Sequence, residues 1–277
     1  MKGTLYVCST PIGNLEDASF RLVRILSEVD LIACEDTRHT RVLLNHFNIN
    51  KPTISYHEHN SKEREETLVS RLNQGQSIAL VSDAGTPGIS DPGYPLIHRA
   101  AQEGIRIEVI PGPSALIAAL VVSGLDTDRF VFEGFLPARA SQRVKRLEEI
   151  IQEQRTIILY EAPHRLLKLL EDINNIMGDR QVAVIRELTK IHEETRRGSL
   201  ADLIKHFEEH PPRGEITVIV EGNKQKPKNA DLSTIVQEVK DLVAGGMEKK
   251  EALKLKAQEY KVKKGELYMK FVELTHK

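Results

Sequence analysis

The chain has 277 residues, and its formal net charge is −1, from 39 Lys and Arg against 40 Asp and Glu. With 40% hydrophobic and 29% charged residues, its composition is that of a globular protein rather than a disordered one. No apolar run approaches the ~20 residues of a membrane-spanning helix, and no signal-peptide pattern follows Met1. We therefore expect a cytoplasmic protein with no membrane association, built from two domains and an appended segment.

Short apolar runs recur along the first 220 or so residues, and each has the length of a buried strand. These runs lie at residues 5–8, 31–34, 78–81, 106–110, 130–132, 156–160, 182–186 and 216–220. Stretches with helical periodicity lie between them, at residues 19–29, 62–73, 115–122, 141–153 and 165–175. The alternation of strands and helices predicts an α/β fold with domains at residues 1–120 and 121–222.

The segment after Gly222 has a different composition. Residues 223–230 are polar and Lys-rich and contain a proline, which is typical of a linker. Short amphipathic helical patterns follow at residues 232–243, 247–260 and 264–274. Residues 223–277 hold 13 lysines and 8 acidic residues, so we predict a linker and a small helical domain that form the basic part of the chain.

Glycine, proline and polar residues follow the predicted strands at the point where each one ends. In the clearest case, the strand at 78–81 runs into Ser-Asp-Ala-Gly-Thr-Pro-Gly at residues 82–88. There Asp83 can accept hydrogen bonds from a hydroxyl or an ammonium group, and Gly85 allows close approach of a ligand to the backbone. Because ligands of open α/β sheets bind beyond the carboxyl ends of the strands, we expect these loops to share one cleft.

Several common site motifs are absent from the sequence. It contains no GxxxxGK[ST], no GxSxG and no GxGxxG pattern, so it predicts neither a P-loop nor a nucleophile elbow nor a dinucleotide fingerprint. The run His57-Glu58-His59 would place two imidazoles on one face of a strand, but no third ligand lies close to it in the sequence. We therefore expect no metal site, and instead a polar loop that faces the substrate.

Three of the strand-end loops resemble those of the tetrapyrrole-methylase-like superfamily of S-adenosylmethionine-dependent methyltransferases. They read STPIGNL, SDAGTPG and IPGPSA at residues 9–15, 82–88 and 110–115. Within that superfamily, further segments resemble the bacterial enzymes that methylate a cytidine ribose 2′-hydroxyl in small-subunit ribosomal RNA. They are CEDTR at 34–38, SYHEHN at 55–60, YEAPHR at 160–165, RELTK at 186–190 and RGE at 213–215. The resemblance covers residues 3–222, and the tail resembles the small helical domain that this family appends.

This resemblance implies two α/β domains that hold S-adenosylmethionine between them, usually in a homodimer, with ribosomal RNA or the small ribosomal subunit as partner. The positions that it assigns to the methyl donor are Thr10, Pro11, Ile12, Asp83, Gly85, Thr86, Ser114, Ala115, Tyr160 and Thr217. The chemistry of the donor agrees with this assignment, because backbone-rich loops and a carboxylate suit a molecule with a ribose, an adenine and a cationic sulfur.

A ribose hydroxyl is a weak acid, so a nearby base would assist its methylation. The catalytic candidates are Asp36, Glu161 and Glu187, with Glu58, His57, His59 and His164 as further possibilities. Asp36 could instead cap the following helix, and Glu161 could pair with Arg165. The side chains suited to RNA contact are Arg38, His57, Arg64, Arg165, Arg186 and Lys190, although any of these cations could simply be solvated.

Two other functions are compatible with the sequence. One is methylation of a corrin, a porphyrin or a diphthamide precursor by the same type of fold. The other is RNA binding without catalysis, in an assembly protein. The polar loop at residues 56–60 and the basic tail favour RNA, because a large apolar macrocycle favours an apolar pocket.

Overall fold

The computed structural model describes residues 2–57, 60–224, 230–260 and 262–275, which form two compact units, Met1–Gly222 and Asn223–Lys277. Strands β1–β10 are Thr4–Cys8, Leu31–Cys34, Thr53–Ser55, Ile78–Val81, Arg106–Ile110, Phe130–Phe135, Thr156–Glu161, Gln181–Arg186, Glu194–Ser199 and Ile216–Val220. Helices α1–α11 are Phe20–Glu28, Thr37–His46, Ser61–Asn73, Tyr94–Gln102, Ala115–Ser123, Ala140–Glu149, Leu166–Met177, Leu200–Glu209, Leu232–Ala244, Lys249–Glu259 and Lys264–Glu273. Over the described residues, no helix has the length and apolar character to cross a membrane.

The first five strands form a wholly parallel sheet in the order β3-β2-β4-β1-β5. Helices α1 and α2 cover one face, where Leu26 and Leu44 belong to the same buried cluster as Ile32. Helices α3 and α4 cover the other face, where Leu68 and Leu96 are in the buried cluster of that side. Because all five strands are parallel, the loops that follow them lie at one edge of the sheet.

The other five strands form a mixed sheet in the order β6-β7-β10-β8-β9. Strands β6 and β7 are parallel, whereas β10 runs antiparallel to both β7 and β8, and β9 runs antiparallel to β8. The start of β10 therefore lies beside the carboxyl ends of β7 and β8. In this register Thr217, the second residue of β10, is opposite Tyr160 on one side and Ile185 on the other.

Helices cover both faces of the second sheet. Helices α6, α7 and α8 bury Leu147, Leu170 and Phe207 on one face. On the other face α5 packs Ala119 and Leu120 against the sheet. Helix α5 directly follows the last strand of the first sheet, so it links the two halves of the first unit. The boundary predicted between residues 120 and 121 falls inside this helix.

The second unit is a three-helix assembly with a core of its own. Helix α9 begins after Asp231, whose carboxylate accepts a hydrogen bond from the Thr234 N–H at 3.1 Å. Apolar residues of α9, α10 and α11, among them Ile235, Leu253 and Phe271, are buried together. The α/β class predicted for the chain and the helical nature of its tail are thus confirmed.

Candidate functional site

A cavity of about 380 Å³ lies between the two sheets of the first unit and takes its lining from both. This volume lies within the range of small-molecule sites, about 300–1,000 Å³. From the first half the loops after β1, β4 and β5 contribute Ile12, Gly85, Thr86, Ser114 and Ala115. From the second half the end of β7 and the start of β10 contribute Tyr160, Glu161 and Thr217. The structure therefore brings together eight of the residues that the sequence predicted for the site.

The loops after β1 and β4 are joined into one wall of the cavity. The Thr10 N–H donates to the Gly85 carbonyl at 2.9 Å, and the Gly85 N–H donates back to the Thr10 carbonyl at 3.1 Å. The Ser9 and Thr86 hydroxyls lie 2.8 Å apart and form a further hydrogen bond. Gly85 has a φ of +78°, a left-handed conformation that glycine adopts without strain.

Three predicted donor positions lie behind this wall and are not among the residues that line the cavity: Thr10, Pro11 and Asp83. The Thr10 side chain is buried, and its hydroxyl donates to the Ser82 carbonyl at 3.2 Å. The Asp83 carboxylate accepts the backbone N–H of Asp36 at 3.1 Å, which fixes the loop after β4 to the loop after β2. In this structure Thr10 and Asp83 support the wall, and their contact with a ligand stays a prediction.

Asp91 lines the cavity and was not a predicted site residue. Burial, together with the negative charges of Glu35, Asp83 and Glu215, raises the pKa of Asp91 to about 7. Its neighbour Ser90 has a φ of +62°, which is uncommon for a residue other than glycine and typical of functional loops. The signal in the sequence that could have pointed to it is the Asp-Pro-Gly run at residues 91–93, which closely follows the glycine-rich loop after β4.

Glu161 is the most buried carboxylate of the cavity wall, with a side chain that is 0% exposed. Its Oε1 accepts the Ala162 N–H at 2.8 Å and lies 3.1 Å from the Arg165 Nε. Its Oε2 has no hydrogen-bond partner among the described residues. Burial raises the pKa of Glu161 above its ordinary value, although the Ala162 N–H and Arg165 act in the opposite direction.

Aromatic rings form one side of the cavity. The Tyr160 ring packs edge-on against Phe132, with centroids 5.0 Å apart, and lies 5.6 Å from the ring of Phe135. Phe135 lines the cavity and is 56% exposed, so its ring is available to a ligand. Burial raises the pKa of Tyr160 to about 12, so this tyrosine remains a neutral phenol at physiological pH.

The carboxylate of Asp36, the second catalytic candidate, caps a helix and is not part of the cavity lining. Its Oδ1 accepts the Arg38 N–H at 2.8 Å, and its Oδ2 lies 2.7 Å from the Arg38 guanidinium. These hydrogen bonds from Arg38 hold the pKa of Asp36 at about 2. A carboxylate with so low a pKa is a poor proton acceptor. The contacts of Asp36 are those of a helix cap, which was the alternative role predicted for it.

Glu187, the third catalytic candidate, holds the segment that forms the end of the cavity. Its Oε1 accepts the Glu215 N–H at 3.0 Å and the Lys190 ammonium at 2.9 Å, and these bonds lower its pKa. A Cβ on Gly214 would lie only 2.1 Å from this oxygen, so glycine is required there for the close approach. Since Gly214 and Glu215 line the cavity, Glu187 shapes it from outside the lining.

Most of the cations predicted for RNA contact are paired with carboxylates. The Arg38 side chain is bound to Asp36, Arg165 to Glu161 and the Leu136 carbonyl, Arg186 to Glu194, and Lys190 to Glu187 and Glu215. His57 donates its backbone N–H to the Asn60 side chain, and Arg64 is half-buried on α3. The candidates Glu58 and His59 lie outside the described residues. Among those described, no group of three His, Cys, Asp or Glu side chains could hold a metal ion.

Two α/β halves around a shared cavity make up the first unit of the protein, and this arrangement is found in solved methyltransferase structures. A solved structure with the same fold is that of a cobalamin biosynthetic enzyme, cobalt precorrin-4 methyltransferase. It has a TM-score of 0.60 at 17% identity, over 79% of this chain and 94% of the other. The chain belongs to the family of tetrapyrrole (corrin/porphyrin) methylases, which matches it over residues 4–204. The family resemblance stated from the motifs is thereby confirmed.

Relatives with high identity carry a more specific name. A protein of Synechocystis sp. named ribosomal RNA small subunit methyltransferase I is 48% identical over 275 residues, or 98% of each chain. A protein of the same name from Thermotoga maritima is 49% identical over 222 residues. This second match covers 80% of our chain but 100% of the relative, which is therefore the shorter protein.

Proposed function

We propose that this protein transfers the methyl group of S-adenosylmethionine to the 2′-hydroxyl of a cytidine ribose in small-subunit ribosomal RNA. The observation that carries the proposal is the cavity between the two halves, which combines backbone-rich loops, aromatic rings and carboxylates in a methyltransferase fold. The choice of RNA as substrate rests on the relatives that match the chain over nearly its whole length. The choice of the ribose oxygen rests on the resemblance of its motifs.

The residues of the cavity fit the methyl donor. The rings of Tyr160 and Phe135 suit an adenine, since aromatic faces stack on nucleobases. The backbone at Gly85 and at Ser114 suits the polar edges of the ribose and of the amino-acid portion. S-adenosylmethionine would supply there a methyl group on a cationic sulfur, and the negative potential around Asp91 suits that cation.

We propose Glu161 as the base among the three predicted carboxylates. During the transfer a bond forms between the ribose oxygen and the methyl carbon, the carbon–sulfur bond breaks, and the hydroxyl proton must leave. The Oε2 of Glu161 has no other partner among the described residues, and the raised pKa of this carboxyl makes it a better proton acceptor than an ordinary glutamate. Glu187 would act by position, since it holds the segment of Gly214 and Glu215 that lines the cavity, and Asp36 would cap α2.

We also propose that the protein acts as a homodimer. Large apolar side chains are exposed on α1, on the edge strand β5 and on one face of α5, where a second copy can cover them: Phe20, Val109, Ile117 and Val121. The Arg21 guanidinium donates to the Val109 carbonyl at 3.2 Å, which places the start of α1 beside β5. Exposed apolar patches of this kind commonly mark association surfaces. Sedimentation of the purified protein tests this proposal, and a monomer at micromolar concentration contradicts it.

The proposed reaction can be tested directly. Small ribosomal subunits from a strain that lacks the gene are incubated with the protein and with S-adenosylmethionine labelled in the methyl group. We expect one labelled site, which is released by nuclease digestion as 2′-O-methylcytidine and which protects one linkage in an alkaline ladder. Label on a base, or transfer to a corrin precursor in preference to RNA, contradicts the proposal.

A further inference from the structure

A second cavity, of about 410 Å³, lies at the outer edge of the second sheet. It is formed by the end of β8, the start of β9, the end of α8 and the segment that leads to β10. We call it the cationic cavity, because its lining includes three arginines, two histidines and a single carboxylate: Arg186, Arg196, Arg213, His206, His210 and Glu194.

The charges in the cationic cavity do not balance. Glu194 accepts the Nε–H of Arg186 through Oε2 and the Nε–H of Arg196 through Oε1, both at 2.5 Å. One carboxylate thus holds two guanidiniums in place but neutralises the charge of only one. Arg213, which is exposed, adds a third positive charge. With neutral histidines the lining therefore carries an excess of two positive charges, and guanidinium groups match the geometry of phosphate oxygens.

The wall of the cationic cavity is stiff. The rings of His206 and His210 stack with centroids 4.8 Å apart and an angle of 16° between their planes. The His210 ring also lies with its Nδ1 3.2 Å from the His206 carbonyl, at the end of α8. Pro211 and Pro212 follow, and each proline fixes its own φ. An anion that enters this cavity meets Arg186 and Arg196, which Glu194 already holds in position.

The cationic cavity adjoins the cavity between the sheets. Ile185 lines the cavity between the sheets and Arg186 lines the cationic cavity, so the two sites lie on opposite faces of the same strand end. In the segment before β10, Gly214 lines the first cavity and Arg213 lines the second. Since consecutive Cα atoms are only about 3.8 Å apart, the two cavities are neighbours at this end of the sheet. A flexible polyanion that passes over it can therefore reach both sites.

We infer that the cationic cavity binds a backbone phosphate of the RNA strand, close along that strand to the ribose that is methylated. This inference rests on the proposed function and extends it, because it adds Arg196, Arg213, His206 and His210 to the RNA-contacting surface. The contact between this cavity and a phosphate positions the RNA strand and does not involve the methyl donor. The effect of its loss should therefore appear in the RNA dependence of the reaction and in its salt dependence.

The test uses full-length Arg196→Ala, Arg213→Ala and the double variant. For the double variant we expect the KM for ribosomal subunits to rise about tenfold, the slope of log affinity against log salt to flatten by about one, and kcat and donor affinity to stay unchanged. Arg196→Lys keeps the charge and should recover part of the loss. Arg155→Ala is the matched control, because Arg155 also pairs with a glutamate but lies just before the start of β7, at the opposite end of the second sheet from the cationic cavity.

The outcomes separate the two proposals. A double variant with the KM and salt slope of the native protein overturns the phosphate site. An equal effect of Arg155→Ala also overturns it, since the loss would then reflect general charge rather than this cavity. If the native protein transfers no methyl group to ribosomal RNA, the proposed function fails instead. If Arg196→Ala lowers the melting temperature, its KM also reflects a change in the fold. In that case the KM and salt slope of Arg213→Ala, at an exposed position, decide the outcome.

Discussion

The Asp91→Asn substitution is expected to stabilise the protein in a pH-dependent way. Asp91 lies half-buried in the wall of the cavity, and Glu35, Asp83 and Glu215 surround it with negative charge. Burial and these charges raise its pKa to about 7. An asparagine has nearly the same size and carries no charge, so it removes the cost of an ionised carboxyl at this position.

The sign and size of the effect follow from linkage. The pKa of Asp91 is raised in the folded state, so the carboxyl retains its proton between about pH 4 and pH 7 while the unfolded chain releases it. The free energy of unfolding of the native protein therefore falls as the pH rises from about 4 to about 7. Above about pH 7 its difference from the Asp91→Asn variant stays constant. A shift of three pKa units corresponds to about 4 kcal/mol, which the partial exposure of the carboxyl reduces to roughly 1–2 kcal/mol.

Thermal unfolding of the native protein and of Asp91→Asn, without the methyl donor, measures this effect. At about pH 8 we expect the variant to melt roughly 3–6 °C higher, and at about pH 4 we expect the two melting temperatures to agree. Asp128→Asn, at an exposed position, is the control and should change neither value. An equal gain at both pH values, or a gain only in acid, would refute the electrostatic reasoning.

Three further predictions concern the cavity and the tail. Glu161→Gln should lower methyl transfer about 10²–10⁴-fold with donor affinity retained, and single-turnover kinetics together with calorimetry will check both values. If the Asp83 carboxylate binds the donor as the resemblance implies, donor affinity of Asp83→Ala measured by calorimetry should fall about ten- to a hundredfold while the fold persists, and an unchanged affinity would leave Asp83 only its bond to the Asp36 N–H. Deletion of residues 224–277 should leave donor binding and kcat intact, because this segment is a separate compact unit that contributes no residue to the lining of the cavity. It should raise the RNA concentration for half-maximal methylation and flatten the salt dependence, and unchanged values would assign the tail no part in RNA binding.

The sequence predicted eight of the ten strands. Six of them, β1, β2, β4, β7, β8 and β10, lie inside a sheet, where burial favours a continuous apolar run, and the other two, β5 and β6, are edge strands that keep enough apolar residues to be recognised. Strand β9, with the sequence ETRRGS, is at the edge of the second sheet, and none of its six residues is fully buried, so its residues are polar. Strand β3 has only three residues and is likewise at an edge. An apolar run also carries no information on direction, so the antiparallel orientation of β10 was not predictable from its residues.

The cavity residues were predicted where they follow a strand in the chain. Gly85 and Ser114 belong to loops whose sequence shows their role directly, since a strand ends immediately before each loop. Asp91 and Phe135 reach the cavity only because two separate sheets come together around it, and that approach is set by the packing of α5. Asp83 shows a further contact that the sequence did not reveal. Its position in a glycine-rich loop predicts a ligand contact, and in the structure its carboxylate also binds a backbone N–H of the neighbouring loop.

Charged residues show most clearly what a sequence leaves open, because the value of a cation for RNA binding depends on its neighbours. In the tail, Lys256 bonds to Glu238 and Glu259 and is only 13% exposed, so it contributes to the packing of the helices. Lys250, on the same helix, is exposed. In the first unit, Arg38 binds the carboxylate that caps α2. Arg213 appeared in the sequence only as part of a motif, and in the structure it lines a cavity with an excess of positive charge. A phosphate-binding surface therefore follows from the local excess of cations over carboxylates, which the net charge of −1 conceals.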